Sequence, residues 1–301
     1  MKLRPQLLLL LALVWAVVGT GMGYADGGDA SAAAALGARY RGLQVQLGHS
    51  QFQRPLYLES SENADGVVGD AYALIEFPFA TTAVALKTPA NWCDILLLHL
   101  NIKYCRVGGD ANGVVLRVDV GTKQDQPLAD AFPVSFAYRV VAATPDYLKV
   151  ILAADQGPLG THDYRVALEL IPVAGGRTFV HFTYAYAYGL AGRLALQAYF
   201  GTLGRDKVGF TVTGEQADGS PLNIGGMRGL VERNTMRYYL AIEAFLGALA
   251  APPLLRQEKS LRDWFAASER YPRQLHEMDQ TEYLDMKHKE FLRAASEPRT
   301  P

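Results

Sequence analysis

The sequence contains little of several features that would narrow its function at once. Its 301 residues include only two cysteines, too few for a disulfide-rich mini-fold or a four-cysteine zinc site. Its 29 basic and 30 acidic side chains give a formal charge of −1, without the basic excess of a non-specific nucleic-acid binder. Because 50% of the residues are hydrophobic, the chain is also too apolar to be disordered. The composition therefore indicates a folded protein with a substantial core.

Catalytic and metal-binding motifs are equally scarce. The sequence has no G-x-S-x-G elbow, no P-loop and no C-x-x-C pair. The segment 276–280 (HEMDQ) begins like H-E-x-x-H but lacks the second histidine, so a solvated helix explains it. The other histidines show no metal-ligand spacing: His49, His99, His162, His181 and His288. We therefore predict no catalytic residue, no metal and no cofactor. In an enzyme, His99 or His181 on a strand facing a cavity would be the first candidate base.

One long apolar run stands at the N-terminus. Lys2 and Arg4 precede the run from Leu7 to Val18, and small residues at Gly23 and Ala25 would suit cleavage before Asp26. This pattern is typical of a secretory signal peptide, and the alternative is an uncleaved anchor at the short end for a membrane span. We predict that residues 1–25 are removed and that the protein is secreted across the inner membrane into a bacterial periplasm.

Export would place the two cysteines in an oxidising compartment, where they can form a disulfide. In an oxidising compartment a bridge between Cys93 and Cys105 would contribute about 3 kcal/mol in the chain-entropy model. The alternative is a pair of buried free thiols, since free cysteine is among the most buried residue types. We predict the disulfide.

From about residue 39 to residue 214 the apolar positions mostly alternate with period two, as they do in strands. Turn signals divide this region at Ala64-Asp65-Gly66, Asp110-Ala111-Asn112-Gly113, Thr144-Pro145-Asp146 and Ala174-Gly175-Gly176. Segments 197–203 and 207–213 look like one more pair of strands. Short strands joined by such turns indicate an antiparallel sheet.

Helical patterns interrupt this region and end it. Two short helices, Ala80–Leu86 and Pro89–Ile95, are predicted after the strand Asp70–Phe79. A long helix with one apolar face is predicted from about Ile224 to Leu249, capped by Asn223 and ended by a Pro-Pro pair.

The last part of the chain has a different composition. Residues 254–301 carry nine basic and nine acidic residues among sparse apolar positions, which predicts a charged tail of two helices broken near Pro272. Such a tail either packs as an appendage or offers a contact surface to a partner.

The order of these elements resembles the START/Bet v1-like superfamily, also called SRPBCC. The stretch Ala71–Leu96 (AYALIEFPFATTAVALKTPANWCDIL) resembles its opening strand, proline and T-P-x-x-W step, here Thr88 to Trp92. The stretch Asn223–Leu249 (NIGGMRGLVERNTMRYYLAIEAFLGAL) falls where that superfamily has its closing helix. The resemblance covers about residues 70–250. Residues 40–69 and the tail are additions that could cover or remodel the mouth of a pocket.

The resemblance implies an α+β fold in which a curved antiparallel sheet grips the long C-terminal helix, with extra helices after it. It also implies an apolar cavity between sheet and helix, because many members bind lipids, sterols or aromatic polyketides and some are cyclases or hydrolases. We accordingly divide the chain into a signal peptide (1–25), a flexible leader (26–38), a helix-grip domain (39–253) and a charged helical tail (254–301).

Tyrosines supply the most distinctive candidate site. Period two places Phe182, Tyr184, Tyr186 and Tyr188 on one face of a strand, where apolar rings with polar tips would suit an amphipathic ligand. The alternative is an ordinary outer surface for this face. The candidate ligand-binding residues are Phe136, Tyr138, Tyr184, Tyr186, Tyr188, Met227, Leu230, Val231, Asn234 and Tyr238. Five of these residues lie on the predicted long helix, and core packing is the alternative role for them. Among these five, Asn234 is polar and needs a hydrogen-bond partner, which could be a ligand, a backbone carbonyl or water.

Three functions fit these expectations. The first is the binding or transport of a hydrophobic or amphipathic, lipid-like small molecule. The second is an enzyme that uses the same cavity, and the third is a structural or interaction protein whose core is filled by its own side chains. We predict no nucleic-acid partner and no membrane span after signal removal. A transient membrane contact and a protein partner bound by the tail stay open.

Overall fold

The computed structural model describes residues 26–189, 192–194 and 207–296. The predicted signal peptide and the predicted strand at 197–203 lie outside the described residues. No helix within the described ranges is long and apolar enough to cross a membrane.

Eight antiparallel strands form one sheet, and two more form a separate hairpin. The strands are β1 (Leu56–Glu62), β2 (Gly66–Ile75), β3 (Ile102–Asp110), β4 (Gly113–Val120), β5 (Phe132–Ala143), β6 (Leu148–Gln156), β7 (Thr161–Val173), β8 (Arg177–Tyr188), β9 (Val212–Glu215) and β10 (Pro221–Asn223). Their order in the sheet is β1-β2-β8-β7-β6-β5-β4-β3. The four turns predicted from Gly, Asn, Asp and Pro signals all fall between consecutive strands of this sheet.

Helices stand before, within and after the sheet. They are α1 (Asp26–Gly42), α2 (Gln44–Gly48), α3 (Phe79–Leu86), α4 (Pro89–Leu97), α5 (Gly226–Ala248), α6 (Pro253–Ser268), α7 (Pro272–Leu275) and α8 (Gln280–Ser296). The pair α3 and α4 follows β2, as the sequence predicts. Cys93 in α4 and Cys105 in β3 form a disulfide that ties this helix pair to the sheet.

The predicted α+β fold class is confirmed. Strand β2 is followed by two short helices and six antiparallel strands, and the last of these, β8, returns to pair with β2. The long helix α5 packs across β1, β2 and β8. Gly69 of β2 allows this close approach, because a Cβ at that position would lie only 2.3 Å from the Thr235 hydroxyl of α5.

Helix α5 differs from its prediction in two respects. It is buried on nearly all sides rather than along one apolar face, because segment 207–223 and the tail cover the side that the sheet leaves open. Its buried Glu232 accepts hydrogen bonds from the backbone N–H groups of Phe210 (2.6 Å) and Thr211 (2.9 Å). The N-cap is Gly225 and not Asn223, whose side-chain amide instead donates to the Phe210 carbonyl at 3.2 Å.

The flexible leader predicted at 26–38 lies within α1, so the prediction of a loose segment is wrong. Its run of alanines has high helix propensity, and α1 packs on the outer face of the sheet beside β7. Leu36 is buried there, the Tyr40 ring lies 4.8 Å from the Phe179 ring, and Arg39 bonds to Glu59 at 2.5 Å.

The charged tail packs into the main core. The rings of Trp264 in α6 and Tyr283 in α8 are buried and stack at 5.0 Å. Buried Glu290 of α8 receives both Lys103 of β3 (3.2 Å) and Lys287 (2.6 Å), and these lysines also donate to backbone carbonyls at the start of β3. The tail is therefore part of the folded unit, while its role as a partner surface stays a prediction.

Candidate functional site

The aromatic residues of β8 face the long helix. Phe182, Tyr184, Tyr186 and Tyr188 are all buried, and the Tyr184 ring lies 5.3 Å from the Tyr238 ring of α5. The alternative, in which this face is an outer surface, is wrong, because Gly69 opposite Tyr184 lets α5 approach on the tyrosine side. Thr183, Ala185 and Ala187 face outward instead.

A small apolar cavity lies between this face and α5. Its volume is about 50 Å³, and it is lined by Leu96, Ile102, Val118, Val120, Val134, Phe136, Leu152, Pro158, Tyr164, Val166, Tyr184 and Tyr238. This is room for one or two water molecules, whereas sites for small organic ligands usually measure about 300–1,000 Å³. The large cavity that the resemblance implies is therefore not open here, because aromatic rings fill the space.

Three of the ten predicted ligand residues line this cavity, namely Phe136, Tyr184 and Tyr238. Three more, Tyr138, Tyr186 and Val231, are buried in the surrounding core without lining it. Tyr188 donates a hydrogen bond to Glu62 at 3.0 Å. Met227, Leu230 and Asn234 are half-buried on α5, away from the cavity lining. The ten residues therefore do not share one cavity, and their role in binding a ligand stays a prediction.

Tyr164 is a cavity residue that the sequence analysis missed. Its ring stacks on Tyr186 at 5.3 Å, and its hydroxyl lies 2.7 Å from the Thr161 hydroxyl. A Cβ at Gly157 would lie 2.2 Å from this ring, so the glycine makes room for it. A register shift between His162 and Arg165 changes the alternation only before Tyr164, and the positive φ of 51° at Asp163 accompanies it. Tyr164 keeps the alternation of the buried residues Val166, Leu168 and Leu170, so period two could have placed it on the inner face.

Phenol groups provide the polar chemistry of the cavity lining. The Tyr138 hydroxyl is buried beside Trp92, whose indole N–H donates to the Leu86 carbonyl at 2.7 Å. Burial raises the pKa values of Tyr164, Tyr184 and Tyr238, so all three remain neutral donors near neutral pH. The interior therefore offers hydrogen bonds without formal charge.

His99 does not lie on a strand, which corrects the prediction for this residue. It lies in the turn between α4 and β3, where its ring stacks on Tyr238 at 4.5 Å. Its Nδ1 accepts the Asn101 N–H at 3.1 Å, so the basic nitrogen is already occupied. Burial, with the charges of Arg237 and Lys287, holds the pKa of His99 well below its usual range. The ring is therefore neutral and poorly placed to accept a proton.

His181 is also misplaced by the prediction, because it projects from the opposite face of the sheet. Its Nε2 lies 2.7 Å from Asp70 and its Nδ1 lies 3.3 Å from Glu169. Burial lowers the pKa of His181, but the two carboxylates outweigh it and raise the pKa above its ordinary value. Burial would likewise raise the pKa of Glu169, yet hydrogen bonds from His181 and Tyr147 bring it down to about 2. This charged network lies outside the grip.

The strand order and the position of α5 define a helix-grip fold, the fold of the START/Bet v1-like superfamily. No protein-family model matches the sequence, and no curated protein matches it.

Among solved structures, the chain is similar to a point mutant of norcoclaurine synthase from Thalictrum flavum. The identity is 14% over 47% of this chain and 90% of that chain, with a TM-score of 0.33. Human StAR-related lipid transfer protein 5 has 8% identity over 58% of this chain and 90% of its own, with a TM-score of 0.30. The lipid transfer and protein localization domain of human StarD13 has 8% identity over 52% and 88%, with a TM-score of 0.29. Scores this low transfer no residue role and no ligand.

Proposed function

We propose that the protein is exported as a soluble molecule and binds a hydrophobic or amphipathic small molecule between its sheet and α5. The observation that carries this proposal is the apolar cavity between the sheet and α5, which Tyr164, Tyr184 and Tyr238 line. Apolar rings that carry hydroxyl groups suit an amphipathic ligand, because a few polar groups in an apolar pocket fix its orientation.

A ligand larger than two water molecules requires the cavity to widen. Tyr164 is the side chain best placed to move, because one hydroxyl contact to Thr161 and ring stacking hold it beside the turn that contains Pro158. A closed resting state lowers the apparent affinity by the fraction of molecules that are open. We therefore expect modest affinity for small probes and tighter binding to a variant with a truncated wall.

Export is supported by two independent features. The first 25 residues carry the three-part pattern of a signal peptide, and Cys93 is bridged to Cys105. Disulfides persist in oxidising compartments and are rare in the cytosol, so the bridge suits a periplasmic protein.

Native mass spectrometry of the protein isolated from the periplasm, together with binding of the uncharged fluorescent probe N-phenyl-1-naphthylamine, tests the proposal. Val134→Phe fills the cavity from β5, and Val84→Phe makes the same change at an exposed position of α3. Wild type and Val84→Phe should carry or bind an apolar molecule, whereas Val134→Phe should lose it while keeping its circular-dichroism spectrum. Equal behaviour of all three proteins would contradict ligand binding in the grip.

A filled structural core is the second candidate, and the 50 Å³ volume favours it. In that case no species co-purifies, and the probe does not distinguish wild type from Val134→Phe. An enzyme remains the third reading. Its titratable cavity-lining groups would be tyrosines whose pKa values burial raises, so a neutral phenol would act as a hydrogen-bond donor and not as a base.

A further inference from the structure

The cavity of the grip has no formal charge in its lining, yet cations lie directly behind one of its walls. Tyr238 lines the cavity, and its ring stacks on the His99 ring at 4.5 Å. Burial lowers the pKa of this imidazole well below its usual range, and so do the charges of Arg237, Lys287 and Lys123. Burial raises the pKa of Tyr238, whereas the charge of Arg237 lowers it. The wall formed by Tyr238 and His99 therefore lies in a positive electrostatic field.

Glu277 stands at the centre of one group of these cations. Its carboxylate lies 2.8 Å from Arg237, 2.5 Å from Lys123 and 3.1 Å from Lys207. Arg237 is 1% exposed and Glu277 8% exposed, so water and salt screen their charges weakly. Burial and the charge of Arg237 lower the pKa of Lys123 to about 8 although Glu277 opposes this shift, as expected where positive charge is in excess.

Glu290 stands at the centre of a second group. Lys103 lies 3.2 Å and Lys287 lies 2.6 Å from its carboxylate, and all three side chains are buried. Lys287 also donates a hydrogen bond to the His99 carbonyl at 2.6 Å. This second group therefore lies beside the same wall of the cavity.

The two groups together carry an excess of positive charge. Asp125 also acts on Lys103, but it forms its own pair with Lys289 at 2.6 Å and adds no net charge. In the part of the chain that the structure describes, five cations therefore share the two carboxylates of Glu277 and Glu290.

The side chains that face the cavity suit a negative group. Tyr164, Tyr184 and Tyr238 line it and remain neutral, because burial raises their pKa values. A neutral phenol can donate a hydrogen bond, and such a bond is stronger when the acceptor is an anion. The described lining contains no carboxylate that would repel one.

We propose that the grip selects an anionic amphiphile, with an apolar body and one negative charge, over a neutral or cationic molecule of the same size. This inference rests on the proposed function and specifies the charge of its ligand. The anion lies toward Tyr238 and His99, because the field of the buried cations acts there through a medium of low dielectric constant. The apolar body occupies the rest of the widened cavity.

Two fluorescent probes with the same anilinonaphthalene frame test this inference on the full mature chain. N-phenyl-1-naphthylamine is neutral, whereas 1-anilinonaphthalene-8-sulfonate carries one negative charge. Wild type should bind the sulfonate about tenfold more tightly. Lys123→Gln removes a cation and should lower the ratio of the two affinities about threefold, whereas Glu277→Gln removes a carboxylate and should raise it. Comparing ratios among variants cancels the difference in size between the probes.

The ion pair of Lys259 and Asp263 on α6 provides matched controls. The two side chains lie 2.6 Å apart and are exposed, and neither lines the cavity. Lys259→Gln and Asp263→Asn should therefore keep the wild-type ratio. Circular dichroism checks that every variant is folded, and Lys123→Gln decides the inference by itself if Glu277→Gln unfolds.

The outcomes separate this inference from the proposed function. Equal or weaker binding of the sulfonate by wild type, or the same ratio in Lys123→Gln and Lys259→Gln, would overturn the inference. Binding of the neutral probe that Val134→Phe abolishes would still support the proposed function. Sulfonate binding that survives Val134→Phe, or a preference that disappears in about 0.5 M salt, would place the probe on the surface and overturn the inference as well. Failure of both probes to bind wild type would contradict the proposed function and, with it, this inference.

Discussion

The interior of the grip and an open groove between Arg54, the end of β2 and α6 contact the same helix, α5, yet they differ in volume and in charge. The interior holds about 50 Å³ and is lined by residues without formal charge, whereas the groove holds about 510 Å³ and includes five charged side chains in its lining. The aromatic residues that the sequence suggests as a ligand site mostly pack against one another and fill the interior of the grip. Open volume arises instead where the segment before β1, the end of β2 and α6 meet α5.

The largest expected effect is on the free energy of unfolding, because the interior of the grip is packed more tightly than the groove wall. Phe182→Ala removes a fully buried ring from the grip and should cost about 3–5 kcal/mol of the free energy of unfolding. Phe77→Ala makes the same change at the half-buried groove wall and should cost about 1 kcal/mol. Urea unfolding followed by circular dichroism measures both. Equal losses of unfolding free energy in the two variants would show that the groove wall is packed as tightly as the interior of the grip.

The next effect concerns the charge in the groove. Glu243→Gln removes the carboxylate from Arg54 and should cost about 1–3 kcal/mol of stability, because hydrogen bonds between charged groups are the stronger ones. The change lies outside the cavity, so N-phenyl-1-naphthylamine binding should stay as in wild type. Urea unfolding that gives the same stability for the variant and wild type would show that the Arg54 ion pair does not support the fold.

The sequence predicted the elements that depend on local patterns. Alternation placed the four aromatic residues of β8 on one face, and turn residues divided the strands correctly. It could not choose which face meets α5, because that choice depends on Gly69 of the neighbouring strand. Tyr164 was missed although it keeps the alternation of Val166 and Leu168, because the pattern alone does not show that β7 lies beside the aromatic face of β8.

Long-range contacts explain what the sequence could not show. The groove depends on Arg54 meeting Glu243, which stands 189 positions later in the chain, and no spacing rule links them. The leader looked loose because its alanines have no apolar stripe, and only the docking of Leu36 and Tyr40 on the sheet reveals why the helix forms.

Two tyrosines inside the grip should respond in opposite directions to loss of the hydroxyl. Tyr164→Phe breaks the contact with Thr161 and should lower the free energy of unfolding by about 1 kcal/mol. Tyr138→Phe removes a hydroxyl whose neighbour Trp92 already donates its N–H to Leu86, so stability should stay unchanged or rise by up to about 1 kcal/mol. Thermal melting of ligand-free protein distinguishes the two variants. A large loss of stability in Tyr138→Phe would show that its hydroxyl makes a full hydrogen bond inside the protein.

The smallest effect is a pH dependence that arises on the outer face of the sheet. Carboxylates of Asp70 and Glu169 raise the pKa of His181 on the outer face, where Tyr72 also stacks on the ring at 4.3 Å. The folded state therefore holds this proton more tightly than the unfolded state, so the stabilisation is complete below about pH 6.5 and is lost as pH rises through the raised pKa. Relative to His181→Gln, wild type should lose stability between pH 6 and 8. The lowered pKa values of His99 and of Lys287, the latter about 8, act in the opposite direction and are common to both proteins. Thr183→Val removes a neighbouring 2.6 Å hydrogen bond to Asp70 without removing a titrating group, so it should keep the wild-type slope. Identical slopes in wild type and His181→Gln would show that the outer network does not favour the protonated ring.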